Sequence, residues 1–288
     1  MPLKSKDATT NFLSLPFILS KKTRLIMVTG KGGVGKTTLA MAITKALQEE
    51  GKKVLYNSFD QPLNQTLASK IDLPHFNLEM DSSARSYIAK KLGSETIAKW
   101  ILKTPFFSSL FNMLPGLGHM ILLGHIINKL EEDSELTIVL DSPSSGHAIT
   151  MMESPRNFKE MFRTGLIVDD INRMERFIFE DERMNIVVTS LPTAMATQEA
   201  HELKEQLASR GVPHFSLVLN DLLSLSPSLK EASPGDLPEF IKTKCLHEER
   251  LLSELSDEEW KHIPHFAHER SPAIIKECQH LLTKGAPL

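Results

Sequence analysis

Apolar residues fall along this chain in two kinds of run. Arg24 to Thr29 contains a short, nearly unbroken apolar stretch, and Lys53 to Asn57, Leu136 to Leu140, Asn185 to Thr189 and His214 to Leu219 repeat that habit. Runs this short, rich in β-formers and bounded by turn or charged residues, predict buried strands. Elsewhere apolar residues recur at spacings of three and four: Thr37 to Glu49 reads as a helix that stops at Gly51. Strands alternating with helices predict a mainly parallel sheet covered on both faces, a doubly wound α/β architecture.

Two stretches break the alternation. Asp81 to Asp133 offers no strand, and its helical spacing is interrupted at Pro105 and at Pro115-Gly116; Ala148 to Glu182 is helical again and rich in Met and Phe. Together they predict a helical subdomain inserted in the α/β domain, covering approximately 66–135 and 148–183. Met113, Leu117, Met120, Ile121, Phe158, Met161, Phe162, Met174 and Phe177 form an adaptable apolar stripe, which is either core or a groove for apolar client segments. Ser224 to Pro238, rich in Ser and Pro, reads as a surface loop leading into a helix over Leu237 to Leu255. Residues 1–20 read as an N-terminal extension and 21–288 as one domain. The extension's apolar stretch, Phe12 to Leu19, is broken by Ser14 and Pro16 and lacks a small-residue cleavage pattern. Leu114 to Leu130 is interrupted by His119, His125, Asn128 and Lys129, short of the roughly 20 apolar residues of a membrane span.

Composition narrows the classes. A chain of 288 residues that is 41% hydrophobic and 24% charged has the make-up of a folded globular protein. A net charge of -3 supplies no chain-wide basic field, so no nucleic-acid partner is expected, and membrane contact is expected to be indirect at most. Cys245 and Cys278 lie far apart and form no C-x-x-C, which argues against a zinc ribbon, an iron–sulfur cradle or a disulfide framework and fits a reducing, cytoplasmic setting.

The chemistry concentrates after the first strand. Gly30-Lys31-Gly32-Gly33-Val34-Gly35-Lys36-Thr37 satisfies G-x-x-x-x-G-K-[ST], between an apolar strand and an amphipathic helix, where the motif needs to be. Its glycines let successive N–H groups face phosphate oxygens at a helix N-terminus. Lys36 is placed to bridge the β- and γ-phosphates of ATP, and Thr37 to ligate Mg²⁺. Lys31 cannot easily reach the same phosphates. One physical use is to cross a dimer interface and act on the partner's nucleotide, the alternative being a solvated lysine.

The run Lys31 to Thr38 resembles the deviant phosphate loop of a superfamily that includes arsenite-pump ATPases, tail-anchored-protein targeting ATPases, partition ATPases and nitrogenase iron proteins. Asp141-Ser142-Pro143-Ser144-Ser145-Gly146-His147 is similar to the switch II of the arsenite-pump and tail-anchored-protein branch, and Ser58-Phe59-Asp60 sits where that branch has switch I. The resemblance implies a Mg-dependent ATPase working as a homodimeric switch on an unidentified client or partner. It implies that Asp60 orients the attacking water, that Thr37, Asp60 and Asp141 serve the metal, and that Thr38 belongs to the nucleotide site. Gly146 would sense the γ-phosphate through its N–H, and Asn220, after the strand ending at Leu219, would meet adenine. The Pro-Ala-His that follows Asp in the branch's switch I is replaced here by Gln61-Pro62-Leu63. The cysteines match neither the zinc C-x-x-C of the targeting ATPases nor the metalloid site of the pumps.

His262, His265 and His268 recur at steps of three, but Pro264 prevents a regular helix through them, so a loop after the last strand is expected rather than a metal site. Two functional alternatives stay open: a partition-type scaffold that binds a surface when loaded with ATP, and a nucleotide-binding regulatory subunit with little turnover.

Overall fold

A computed structural model describes residues 11–59, 61–78, 86, 89, 93–105, 116–142, 145–161, 166–230, 237–255 and 259–287. Six strands form one sheet in the order β2-β3-β1-β4-β5-β6, and every pairing is parallel. They are β1 Leu25–Gly30, β2 Val54–Asn57, β3 Thr137–Asp141, β4 Met184–Ser190, β5 Phe215–Leu222 and β6 Trp260–Pro264. The first five match the apolar runs to within three residues at either end. The sixth corrects the loop expected at His262: that residue is buried in β6, whereas His265 and His268 lie beyond it. Among the described residues no group of three or more His, Cys, Asp or Glu is placed to hold a metal.

Alternate side chains of the central strands serve opposite faces. Ile26, Val28, Val139, Val187 and Val218 pack under α2 (Lys36–Glu49), whose Leu39, Ile43 and Leu47 are buried against them. Leu25, Met27, Ile138, Leu140, Ile186 and Val188 face the other layer. The elements of that second layer follow α3 (Gln65–Lys70) and α4 (Glu95–Leu102) in the chain. They are α5 (Leu117–Glu132), α6 (Ser145–Met161), α7 (Leu166–Glu175) with a π turn over Arg176–Glu180, and α8 (Ala194–Ser209). Strands buried on both faces in this way read as continuous apolar runs, which is why they were legible.

The Met- and Phe-rich stripe resolves largely into core. Leu117, Met120, Ile121, Phe158, Met174 and Phe177 are each 7% exposed or less and join the same cluster as the sheet. Met113 and Phe162 lie outside the described residues, as does the side chain of Met161. Pro155 sits inside α6 without ending it. Past β5 come α9 (Pro227–Lys230) and α10 (Glu239–Glu254), and after β6 comes α11 (Ser271–Lys284), which packs on α2. Among the described residues no helix is long and apolar enough to cross a membrane.

The described part of the N-terminal extension docks on this domain. A short helix, α1 (Leu15–Ile18), follows a bridge between Phe12 and His262 at the outer edge of β6, and Leu13, Leu15 and Ile18 are buried. The opposite edge is covered as well, because Tyr56 of β2 pairs with His75 through hydrogen bonds to Pro74 and Phe76. These contacts occupy part of the N–H and C=O rows that an edge strand would otherwise offer to another sheet.

Candidate functional site

All strands point the same way, so their C-terminal ends share one rim, where open α/β sheets bind ligands. The loop from Gly30 to Gly35 leaves β1 at that rim and turns into α2 at Lys36. Two of its glycines cannot be replaced without moving a neighbour. Gly30 has φ 143° and a Cβ there would lie 2.2 Å from the carbonyl oxygen of Thr189; Gly35 has φ 91° and a Cβ would lie 2.3 Å from Asn220 Nδ2. Gly32 and Gly33 are exposed, and Val34 is buried.

Asn220 fastens the loop from the side: its Nδ2 donates to the Val34 carbonyl at 2.9 Å. Lys36 folds back over the loop and donates to the Lys31 carbonyl at 2.9 Å. Burial lowers the Lys36 ammonium below its ordinary pKa, and nearby Asp141 partly restores it. Thr37 Oγ1 donates to Asp141 Oδ2 at 2.7 Å, across 104 residues of chain. Burial pushes the Asp141 carboxyl up, against hydrogen bonds from Thr37 and Tyr56 and the charge of Lys36. Thr38 follows in the first turn of α2.

Of the remaining sequence-derived residues, Gly146 lies in the exposed first turn of α6, and a Cβ there would meet nothing within 4 Å. Asp60 lies outside the described residues, between Phe59 and Gln61. Its neighbours are constrained. Phe59 adopts φ 57°, its N–H donates to Asn57 Oδ1 at 2.9 Å, and its buried ring stacks on His119 of α5 with centroids 5.5 Å apart. Lys31 is exposed and pairs in cis with Glu199 of α8. Both line a cleft of about 220 Å³ beside the loop, with Ser145, Thr189 and Gln206 also on its wall.

The donor set suits a magnesium nucleotide. Thr37 and Asp141 present hard oxygen ligands side by side, next to a helix N-terminus and a half-buried lysine. Sequence reasoning missed two participants. Tyr56 donates to Asp141 from a strand interior, and Glu199 holds Lys31 from a helix surface. A tyrosine hydroxyl inside an otherwise apolar strand is the signal for the first; the second has no local signal, because a Glu on an exposed helical face is ordinary.

Comparison with known proteins defines the class. Residues 23–221 match the model of the anion-transporting ATPase family, and the chain belongs to that family. Within it, an arsenical pump-driving ATPase from Escherichia coli is 25% identical over 248 residues, covering 79% of this chain and 40% of that protein. An ASNA1-homologue ATPase from Cryptosporidium parvum is 24% identical over 254 residues, covering 73% of this chain and 68% of the relative. The ATPase BagA from Mycobacterium tuberculosis is 25% identical over 222 residues, covering 68% and 64% respectively. The chain spans less than half the length of the arsenical pump-driving ATPases it matches.

Proposed function

We propose that this protein hydrolyses Mg-ATP to ADP and phosphate and works as a homodimer whose nucleotide state moves the helical layer against a client or partner. The observation that carries this reading is the contact between Thr37 Oγ1 and Asp141 Oδ2 beneath a complete phosphate loop, which joins two distant segments of chain into one oxygen-donor site. Thr37 and Asp141 would hold the magnesium ion, which supplies charge neutralisation to the phosphates when bound. Lys36, released from the Lys31 carbonyl, would bridge the phosphates. Asp60 would orient the attacking water and Gly146 would donate its N–H to the γ-phosphate. Asn220 would meet the adenine ring while its amide braces the loop.

Lys31 carries the dimeric part of the proposal. Reaching a partner's nucleotide requires that it leave Glu199, and an exposed ion pair of this kind holds it by only about 0–1 kcal/mol, so the release is cheap. A cation supplied in trans raises phosphoryl-transfer rates by about three to five orders of magnitude. The test is ATP turnover per chain across a protein dilution series, with wild type and Lys31→Ala. A wild-type rate that climbs with concentration and falls at least about a thousandfold in Lys31→Ala supports the reading. A rate independent of both removes the trans role.

A further inference from the structure

Tyr56 lies outside the phosphate loop and both switch segments, yet its hydroxyl ends in the site. In β2 it is in register with Val139 of β3, so Tyr56, Val139 and Asp141 project from the same face of the sheet. The carboxylate stands two residues further on, about 7 Å along the strand direction. A phenol is long enough to span that gap. Its oxygen donates to Asp141 Oδ2 at 2.9 Å, and Thr37 Oγ1 donates to the same oxygen at 2.7 Å. Tyr56 is 1% exposed, and its backbone is held on both sides: by the β3 ladder, and by the segment at 74–76, with Tyr56 N–H on the Pro74 carbonyl at 2.8 Å and Phe76 N–H on the Tyr56 carbonyl at 3.1 Å.

The two donors to Asp141 are not equivalent. Thr37 sits in the first turn of α2 and doubles as a candidate metal ligand, so its oxygen has a second claim on it. Tyr56 is anchored in the sheet and serves the carboxylate. A phenylalanine would fill the same space; what the hydroxyl adds is a hydrogen bond to a buried anion, the strong class of such bonds.

We propose that Tyr56 is a positioning residue for the magnesium-site carboxylate: it fixes the orientation of Asp141, leaving Thr37 free to serve as a metal ligand. The proposal rests on the reading of the preceding subsection. The phenol grips a buried carboxylate oxygen from a fixed strand position, so its loss frees Asp141 to rotate and weakens metal binding rather than nucleotide binding as such.

The experiment titrates a fluorescent ADP analogue onto wild type and Tyr56→Phe, at a series of Mg²⁺ concentrations and in EDTA. The expected result is a Mg²⁺ midpoint raised about tenfold, the fold-change of a lost hydrogen bond to a charged group. Affinity in EDTA should change by less than about twofold, and Tyr56→Phe should add nothing in an Asp141→Asn background. Equal Mg²⁺ midpoints, or equal losses with and without Mg²⁺, overturn the role of Tyr56. Wild-type binding that ignores Mg²⁺ overturns instead the metal site at Thr37 and Asp141 on which the proposal rests. If Tyr56→Phe folds poorly, the same question is put to the intact phenol. The chain has two tyrosines, so fluorotyrosine in a Tyr87→Phe protein reports on position 56 alone. Its ¹⁹F resonance should move when Mg²⁺ joins bound nucleotide, and stay still in Asp141→Asn. A resonance indifferent to Mg²⁺ in both overturns the proposal.

Discussion

At Gly35 two demands coincide: a left-handed backbone, and an Asn220 amide where a Cβ would stand. Gly35→Ala must therefore bear strain and displace the side chain that holds the Val34 carbonyl. The expected cost is about 1–3 kcal/mol of stability, read from denaturant midpoints, together with loss of nucleotide binding. The two cysteines differ in a way that a thiol reagent can read. Cys278 is buried in α11, and desolvation pushes its thiol up to about 12; Cys245 is partly exposed, and partial desolvation raises it as well. At pH 8 a thiol reagent should label Cys245 in the native protein and Cys278 only in denaturant. Unfolded chains release the Cys278 proton from about 9 upward while the native state retains it, so this group's contribution to stability falls as pH rises from 9.0 to about 12.

Among the elements, β4 and β5 are joined to the N-terminal extension by one amide. Asn185 Nδ2 donates to the Ile18 carbonyl at 2.7 Å and to Ser216 Oγ at 2.9 Å, all in the buried interior. Asn185→Leu leaves a buried carbonyl without its donor and should cost about 1–3 kcal/mol, seen as a lowered urea midpoint with an unchanged slope. This contact also marks the limit of what local pattern reveals. Five strands were legible because each is buried on both faces and reads as an apolar run. Trp260-Lys261-His262-Ile263-Pro264 was not: Lys261 is only half-buried, His262 breaks the apolar run, and a proline at the end suits a sheet edge. The covering residues, at 11–13, are remote in sequence. The site divides the same way. The loop from Gly30 to Thr37 is contiguous and therefore readable, while Tyr56 to Asp141 spans 85 residues and Lys31 to Glu199 spans 168.

On the scale of the molecule, the Phe59–His119 stack ties the segment after β2 to the second helical layer. Phe59 holds a left-handed φ that a bulky residue keeps only under constraint, here the Asn57 cap and the packed ring. Hydrogen exchange should therefore differ between ATP-analogue and ADP states in α5, and His119→Ala should shrink that difference while leaving nucleotide affinity within about threefold. Identical exchange in the two nucleotide states of the wild type would separate the site from the helical layer. The edge of β6 carries a different consequence, one of timing. Asn11 bonds the Trp260 carbonyl across 249 residues, and the N–H groups of Leu13 and His262 reach across the same edge. During synthesis the backbone at Asn11 and Leu13 must wait for a strand made nearly a whole domain later. Until then those edge contacts stand unmade, so a chain stalled before residue 260 holds its first described residues less firmly than the finished molecule does.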